Sequence, residues 1–437
     1  MAEQPGRPDK ELGFWMCAAL VVGNTIGIGI FMLPASLAPY GYSALLGWAV
    51  TVVGMSILAR VFARLARDFP GADGPYAYIQ STVGDTAAFI AIWCYWMSVW
   101  ITNAAIAIGL VGYLGTVVPP LASVSPAVTS LALVWLCVAV NLYGVRAGGR
   151  VQVLTTALKL VPMAAIIVLG LWLLAVDPHA YARHAPPATS FSAGSLVAAS
   201  TLALFAMQGI ESATIPAGRV RDPERTIPRA TLAGTLLTAS IYVAVSTVPL
   251  LLIPQQGLAR STAPFVDALE RITGAGSGRW LAVFVLVSGL GCLNGWTLLV
   301  GELTASMAGH GVLPPALRAH NRHGAPARAL VLTAMLASAM VLMNYSKSLV
   351  QGFTFLTLMV TAAILPLYLF CAVALLVLWR RGHAPPGVDL ALLGGFGTAY
   401  SVFSFVGVGS EPFLWSLALA VLGLPLYYVL RGQRRAG

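Results

Sequence analysis

From about residue 12 to about residue 430 the chain is a succession of apolar stretches near twenty residues long, joined by short polar connections. No other feature restricts the fold as much, because about twenty apolar residues in a helix span the hydrocarbon core of a bilayer. Within hydrocarbon every backbone amide and carbonyl needs a partner inside its own segment, so runs of this length imply helices. Twelve are expected, near 12–38, 43–66, 85–117, 125–143, 150–176, 194–218, 229–253, 279–306, 327–344, 349–379, 388–408 and 411–430. Of the 437 residues, 58% are hydrophobic and 9% charged, against about a quarter charged in soluble domains. The expected class is an all-α polytopic membrane protein.

Charge placement sets the expected orientation. With the N-terminus in the cytoplasm, roughly 19 Lys and Arg residues fall on cytoplasmic connections and about 5 outside, as the positive-inside rule requires. The internal set includes Arg60, Arg64 and Arg67, Arg146 and Arg150, Arg219 to Arg229, Arg318 to Arg328, and the tail at Arg431, Arg434 and Arg435. Both termini are therefore expected in the cytoplasm of a cell whose inner (plasma) membrane holds the chain. No short apolar core with a small-residue cleavage site precedes the first span, so that span is expected to act as the insertion signal. The formal charge of +10 is scattered between apolar runs and forms no stripe suited to nucleic acid. Cys17, Cys94, Cys137, Cys292 and Cys371 all sit inside apolar runs, and all six histidines sit in connections. Neither set has metal-ligand spacing, and no metal or cofactor is expected.

Within the first span, Gly23 to Phe31 reads GNTIGIGIF, with three glycines in seven positions. Each glycine costs about 1 kcal/mol relative to alanine inside a helix. Gly23 and Gly27, four apart, also suit close helix packing. The sixth span repeats the anomaly: Leu204 to Gly218 carries Gly209, Glu211 and Pro216. Matched interruptions in corresponding segments point to a binding site at mid-membrane, where unwound backbone lines a cavity. Gly29 and Gly209 lie about 180 residues apart, the separation expected of a five-span unit repeated with inverted topology. The expected division is a tail at 1–11, a first five-helix unit at 12–176, a second at 194–379, two further helices within 388–430, and a tail at 431–437. After the sixth span, Arg219 to Thr231 reads as a charged loop, closed by Pro228 at the start of the next helix.

The segments GNTIGIGIFMLPASLAPYG, GADGPYAYIQSTVG, FAMQGIESATIPAGRVRDPERTIPRA, STAPF and GWTLLVGELTASMAGHGVLPP resemble the amino acid, polyamine and organocation transporter superfamily over essentially the whole chain. Within it, the likeness is greatest to the bacterial basic amino acid and polyamine antiporters, the arginine/agmatine exchangers above all. The resemblance implies a leucine-transporter-type fold of five plus five helices with two more, and substrate held between broken helices 1 and 6. It places the substrate carboxylate at the amides of Ile28 and Gly29, beside Asn24. The amine falls at carbonyls near Thr25, Phe205 and Gln208. Tyr95, Ser98, Val99 and Asn103 match the side-chain pocket, with Trp296 offering an aromatic face to a cation. Independently of any family, amides at a helix start attract anions and carbonyls at a helix end attract cations. The chain departs from the arginine exchangers at Ile28, where they carry serine, at Phe205, where they carry a gating tryptophan, at Gln208, where they are aliphatic, and at Lys159, where they are uncharged.

Two ionisable residues lie deep in expected spans, where a charge costs at least about 2.5 kcal/mol. Glu211 follows the sixth-span break and suits a cation or a proton, or else caps the second half-helix. Lys159 can brace the first break, titrate, or snorkel to the interface. Glu302 falls nearer the interface. A membrane enzyme would need a catalytic constellation within the spans, and a channel would need a polar ring; neither pattern is present. The expected function is exchange of cationic amino acids and their decarboxylated amines, with proton-coupled amino acid uptake as the alternative. Expected partners are those small molecules and membrane lipids, with a homodimer as one candidate assembly, and no nucleic acid.

Overall fold

The structure, a computed structural model, describes residues 13–69, 74–143, 158–210, 220, 222–274, 276–382 and 390–436. Its regular elements are helices. They are α1 (Phe14–Thr25), α2 (Gly29–Leu37), α3 (Tyr42–Asp68), α4 (Pro75–Thr82), α5 (Asp85–Val117), α6 (Pro126–Leu142), α7 (Leu160–Val176) and α8 (Ala193–Ala206). After them come α9 (Pro223–Leu252), α10 (Pro264–Thr273), α11 (Gly278–Gly309), α12 (Ala327–Met343), α13 (Leu349–Arg380), α14 (Leu390–Gly407) and α15 (Ser410–Ala436). Among the described residues seven helices, α3, α5, α9, α11, α13, α14 and α15, are long and apolar enough to cross a membrane. Shorter apolar helices include α2, α6, α7, α8 and α12.

Burial follows composition. Helix α5 is apolar on every side, with aromatic residues on several faces, and such a helix belongs in a core. It packs most extensively on α13 and next on α11. At the other extreme, α14 and α15 turn most of their apolar surface outward, including Phe396, Val406, Leu414 and Leu422. That surface suits a hydrocarbon surround rather than water. Helix α15 is held to α5 by Trp93, whose indole donates to the Leu419 carbonyl at 3.2 Å and fills the notch left by Gly423. At the far end of α13, Arg381 donates to the carbonyls of Ser81 (3.3 Å) and Thr82 (3.0 Å), covering the carbonyl end of α4.

Two sequence expectations are corrected. The unwound part of the first span is narrower than Gly23 to Phe31: helix persists through Thr25 and resumes at Gly29. Only Ile26 to Ile28 leave it, because the Ile26 amide still reaches the Val22 carbonyl at 3.0 Å while Phe31 turns to Ile28. The helix expected from about residue 229 begins at Pro223, with Pro228 inside it. Asp222 makes this possible by accepting the amides of Arg225 and Thr226 at 3.1 and 2.9 Å. Pro228 then removes one rung in the second turn, the bond that would reach the Glu224 carbonyl, while Pro223 occupies the first position, where proline is tolerated.

Candidate functional site

The interruption in the first span and the end of α8 in the sixth meet at one cavity. The first interruption is Ile26 to Ile28, between α1 and α2. The second follows α8: Met207 and Gln208 turn back to the carbonyls of Leu204 and Phe205, and Gly209 takes φ +105°, a conformation that favours glycine. Between them lies a partly open cavity, about 380 Å³ of empty space when the solvent at its mouth is included. Six of the residues expected from sequence line it: Thr25, Ile28, Gly29, Phe205, Gln208 and Trp296. Gly29 is required where it stands, since a Cβ there would lie 2.6 Å from the Phe205 ring.

Backbone groups freed at the first break find partners on distant helices. Lys159, at the start of α7 and 3% exposed, donates its ammonium to the carbonyls of Gly23 (2.7 Å) and Ile26 (2.5 Å). It is thus turned inward and does not snorkel. Tyr242 of α9 donates its hydroxyl to the Thr25 carbonyl at 2.8 Å and lies against the Gly27 amide. Its ring meets Trp48 of α3 edge-on, with centroids 6.0 Å apart. Cys292 of α11 brings its sulfur to the Ile28 amide and to the Trp296 side chain. The amides at the start of α2 precede any intrahelical acceptor, so this end of the cavity carries partial positive charge. At the second break, Gln208 reaches Thr361 of α13 at 3.4 Å.

The remaining expected residues are distributed otherwise. Asn24 belongs to the last turn of α1, and its side chain lies outside the described set. Tyr95, Ser98, Val99 and Asn103 are on α5, but that helix presents Thr102 and Ile106 to the cavity. Ser98 donates to the Tyr95 carbonyl at 2.7 Å, and the Asn103 carbonyl oxygen is buried without a partner among the described residues. Glu211 lies outside the described residues. Glu302 is half-exposed, 4.0 Å from His320. Tyr242 and Cys292 line the cavity and were missed from sequence. A signal existed for both: Tyr242 continues a series of hydroxyl residues at helical spacing from Thr231, and Cys292 lies one turn before Trp296.

A broken helix and the end of a second helix around one cavity, within an apolar helical protein, are the arrangement of a multi-pass membrane transporter. The chain belongs to the amino acid permease family, whose model matches residues 12–424, within the amino acid, polyamine and organocation superfamily. It is similar to the putrescine transporter PotE of Escherichia coli strain K12, at 31% identity over 432 residues covering 96% of this chain and 95% of that one. It is also similar to the cadaverine/lysine antiporter of the same strain, at 32% identity over 336 residues covering 76% and 75%. Family and relatives are transporters and not enzymes.

Proposed function

We propose that this chain is a secondary transporter that exchanges amino acids and their amines across the cell's inner membrane by alternating access. The observation that carries this reading is one cavity flanked by the break of the first span and by the end of α8 with Gly209 at positive φ. In the proposed arrangement twelve spans form an inverted repeat of five plus five, with two further helices and both termini in the cytoplasm. The substrate carboxylate meets the amides of Ile28 and Gly29 at the positive start of α2. The amine meets carbonyls at Thr25 and Phe205, and the side chain extends toward Trp296 and α5. Putrescine, cadaverine and lysine, named for two relatives, set the first substrates to test. Glu211, one residue beyond Ile210, is assigned the titrating carboxylate of the cycle. Lys159 is assigned the part of a fixed charge bracing the first break, in keeping with its two bonds to carbonyls.

One observation favours a second reading. The Lys159 ammonium is buried with no carboxylate bonded to it among the described residues, and a buried lysine is a natural proton carrier. Proton-coupled amino acid uptake is therefore the competing mode. Proteoliposomes decide between the two. Exchange predicts counterflow of arginine, lysine, ornithine or their amines that requires substrate on the opposite face. Accumulation into empty vesicles under an imposed proton gradient, lost in Lys159→Ala while exchange persists, would establish the uptake mode instead.

A further inference from the structure

Helix α6 contributes no residue to the cavity, yet it carries a polar side chain committed to the helix that does. Asn141, near the end of α6 and 1% exposed, donates its amide to the Asn294 side-chain oxygen at 2.8 Å. The same amide donates to the Cys137 carbonyl at 2.8 Å and lies 3.5 Å from the Asn294 carbonyl. Its own oxygen is buried and has no partner among the described residues, so the group acts here only as a donor. Asn294 is itself buried and sits on α11 between Cys292 and Trp296, which both line the cavity.

A second bond fixes the same helix further along. Trp96 of α5 donates its indole N–H to the Thr304 hydroxyl at 2.7 Å, and Thr304 donates in turn to the Val300 carbonyl at 2.6 Å. Asn294 and Thr304 are ten residues apart, about 15 Å along a helix. A helix held by directional bonds at two heights can neither slide nor turn about its axis. Apolar packing would attach α11 equally well without fixing its rotation, whereas a buried amide pair between helices selects one register.

We propose that Asn141 is a positioning residue for the cavity: through Asn294 it sets the rotation of α11 and so aims Cys292 and Trp296 at the first break. The inference rests on the proposed substrate site, and its tests separate the two. Purified protein is assayed for equilibrium binding of lysine and putrescine as wild type, Asn141→Ala, Trp296→Ala and the double variant. Asn141→Ala should weaken binding about five-fold with a smaller change in maximal exchange rate. In the Trp296→Ala background the same change should cost under two-fold, because the ring it aims has gone.

A second readout needs no substrate. In a variant keeping Cys292 as its one cysteine, Asn141→Ala should change the rate of modification by a small methanethiosulfonate several-fold. If Asn141→Ala does not assemble, Asn141→Ser, which keeps a short donor, takes its place in both measurements. Full additivity with Trp296→Ala, or an unchanged Cys292 rate in a folded variant, overturns the positioning role. A changed Cys292 rate in a protein that binds neither substrate supports the clamp and overturns the substrate reading.

Discussion

The two sides of the cavity treat their polar groups in opposite ways. On the wall formed by α5 and α11, hydroxyls return to carbonyls of their own helix: Thr102 to Ser98 (2.7 Å), Thr297 to Leu293 (2.7 Å) and Thr304 to Val300. On the side of the first break, backbone groups are served by long side chains from other helices, and the hydroxyls are left out. Among the described residues the Thr25, Thr231, Thr238 and Ser246 hydroxyls are buried there without partners, although Thr235 on the same face of α9 bonds to the Thr231 carbonyl at 2.7 Å. The wall has exceptions in the Asn103 oxygen and the Trp100 indole. Unmet hydrogen bonds in an apolar surround are costly, so the break side has more to gain from rearranging than the wall. A transporter needs such an asymmetry, with one part that holds its shape and another that can change it.

The largest effect should come from Lys159→Ala, which strands one buried and one partly buried carbonyl. Bonds to a charged donor contribute about 1.5 to 3 kcal/mol each. Exchange in proteoliposomes should fall about 100-fold and the thermal midpoint should drop; near wild-type flux would show that the break does not depend on this side chain. Next, Trp296→Ala should weaken binding of cationic substrates about ten-fold, with Trp296→Phe keeping part of the affinity, since a cation over an aromatic face contributes about 0.5 to 2 kcal/mol. Equal losses for neutral and cationic amino acids would reduce the indole to plain wall.

Tyr242→Phe removes the donor to Thr25 and keeps the ring against Trp48. A net bond of about 0.5 to 1.5 kcal/mol predicts a loss of roughly five-fold in substrate affinity, and no loss would show the hydroxyl to be dispensable. Thr238→Val tests the comparison by its sign. Replacing an unpartnered hydroxyl with a methyl group should raise the thermal midpoint by about 1 to 3 °C. A fall would mean that the hydroxyl has a partner in the membrane and that the two sides differ less than proposed.

The smallest effect lies away from the cavity, on α10. Burial raises the Asp267 carboxyl above its ordinary 3.8, partly offset by the Ser261 hydroxyl, with Glu270 opposing and Arg271 assisting ionisation. The Ser261 hydroxyl donates to it at 2.5 Å. With the folded pKa raised, the favourable contribution is complete below the unfolded pKa and is lost as pH rises through the folded one. Asp267→Asn should therefore be slightly more stable than wild type at neutral pH, with the advantage vanishing as pH falls toward 4. An advantage independent of pH, read in thermal scans of detergent-solubilised protein, would exclude this cause.

Particular residues mark how far the sequence could be read. The two breaks were legible because three glycines in the first span, and a glycine, an acid and a proline in the sixth, contradict the local preference for helix inside apolar runs, and nothing remote is needed to see the contradiction. Phase was harder. On α5 the family resemblance implied Tyr95, Ser98, Val99 and Asn103, whereas Thr102 and Ile106 line the cavity. Adjacent positions differ by about 100° around a helix, and a helix apolar on all sides offers no stripe by which to choose. Pro228 was read as a helix start because proline is tolerated there, but the Asp222 carbonyl had already opened the helix.

The amino-acid sequence by itself determined the membrane class, the places where helices must break and the presence of an ionisable residue at Lys159, since all three follow from local composition. Which backbone carbonyls Lys159 and Tyr242 would reach, which face of α5 would meet the cavity, and that Asn141 would pair with Asn294 were decided only by tertiary structure. These are contacts between residues more than a hundred positions apart. Their geometry is set by the packing and rotation of whole helices, which no single segment encodes.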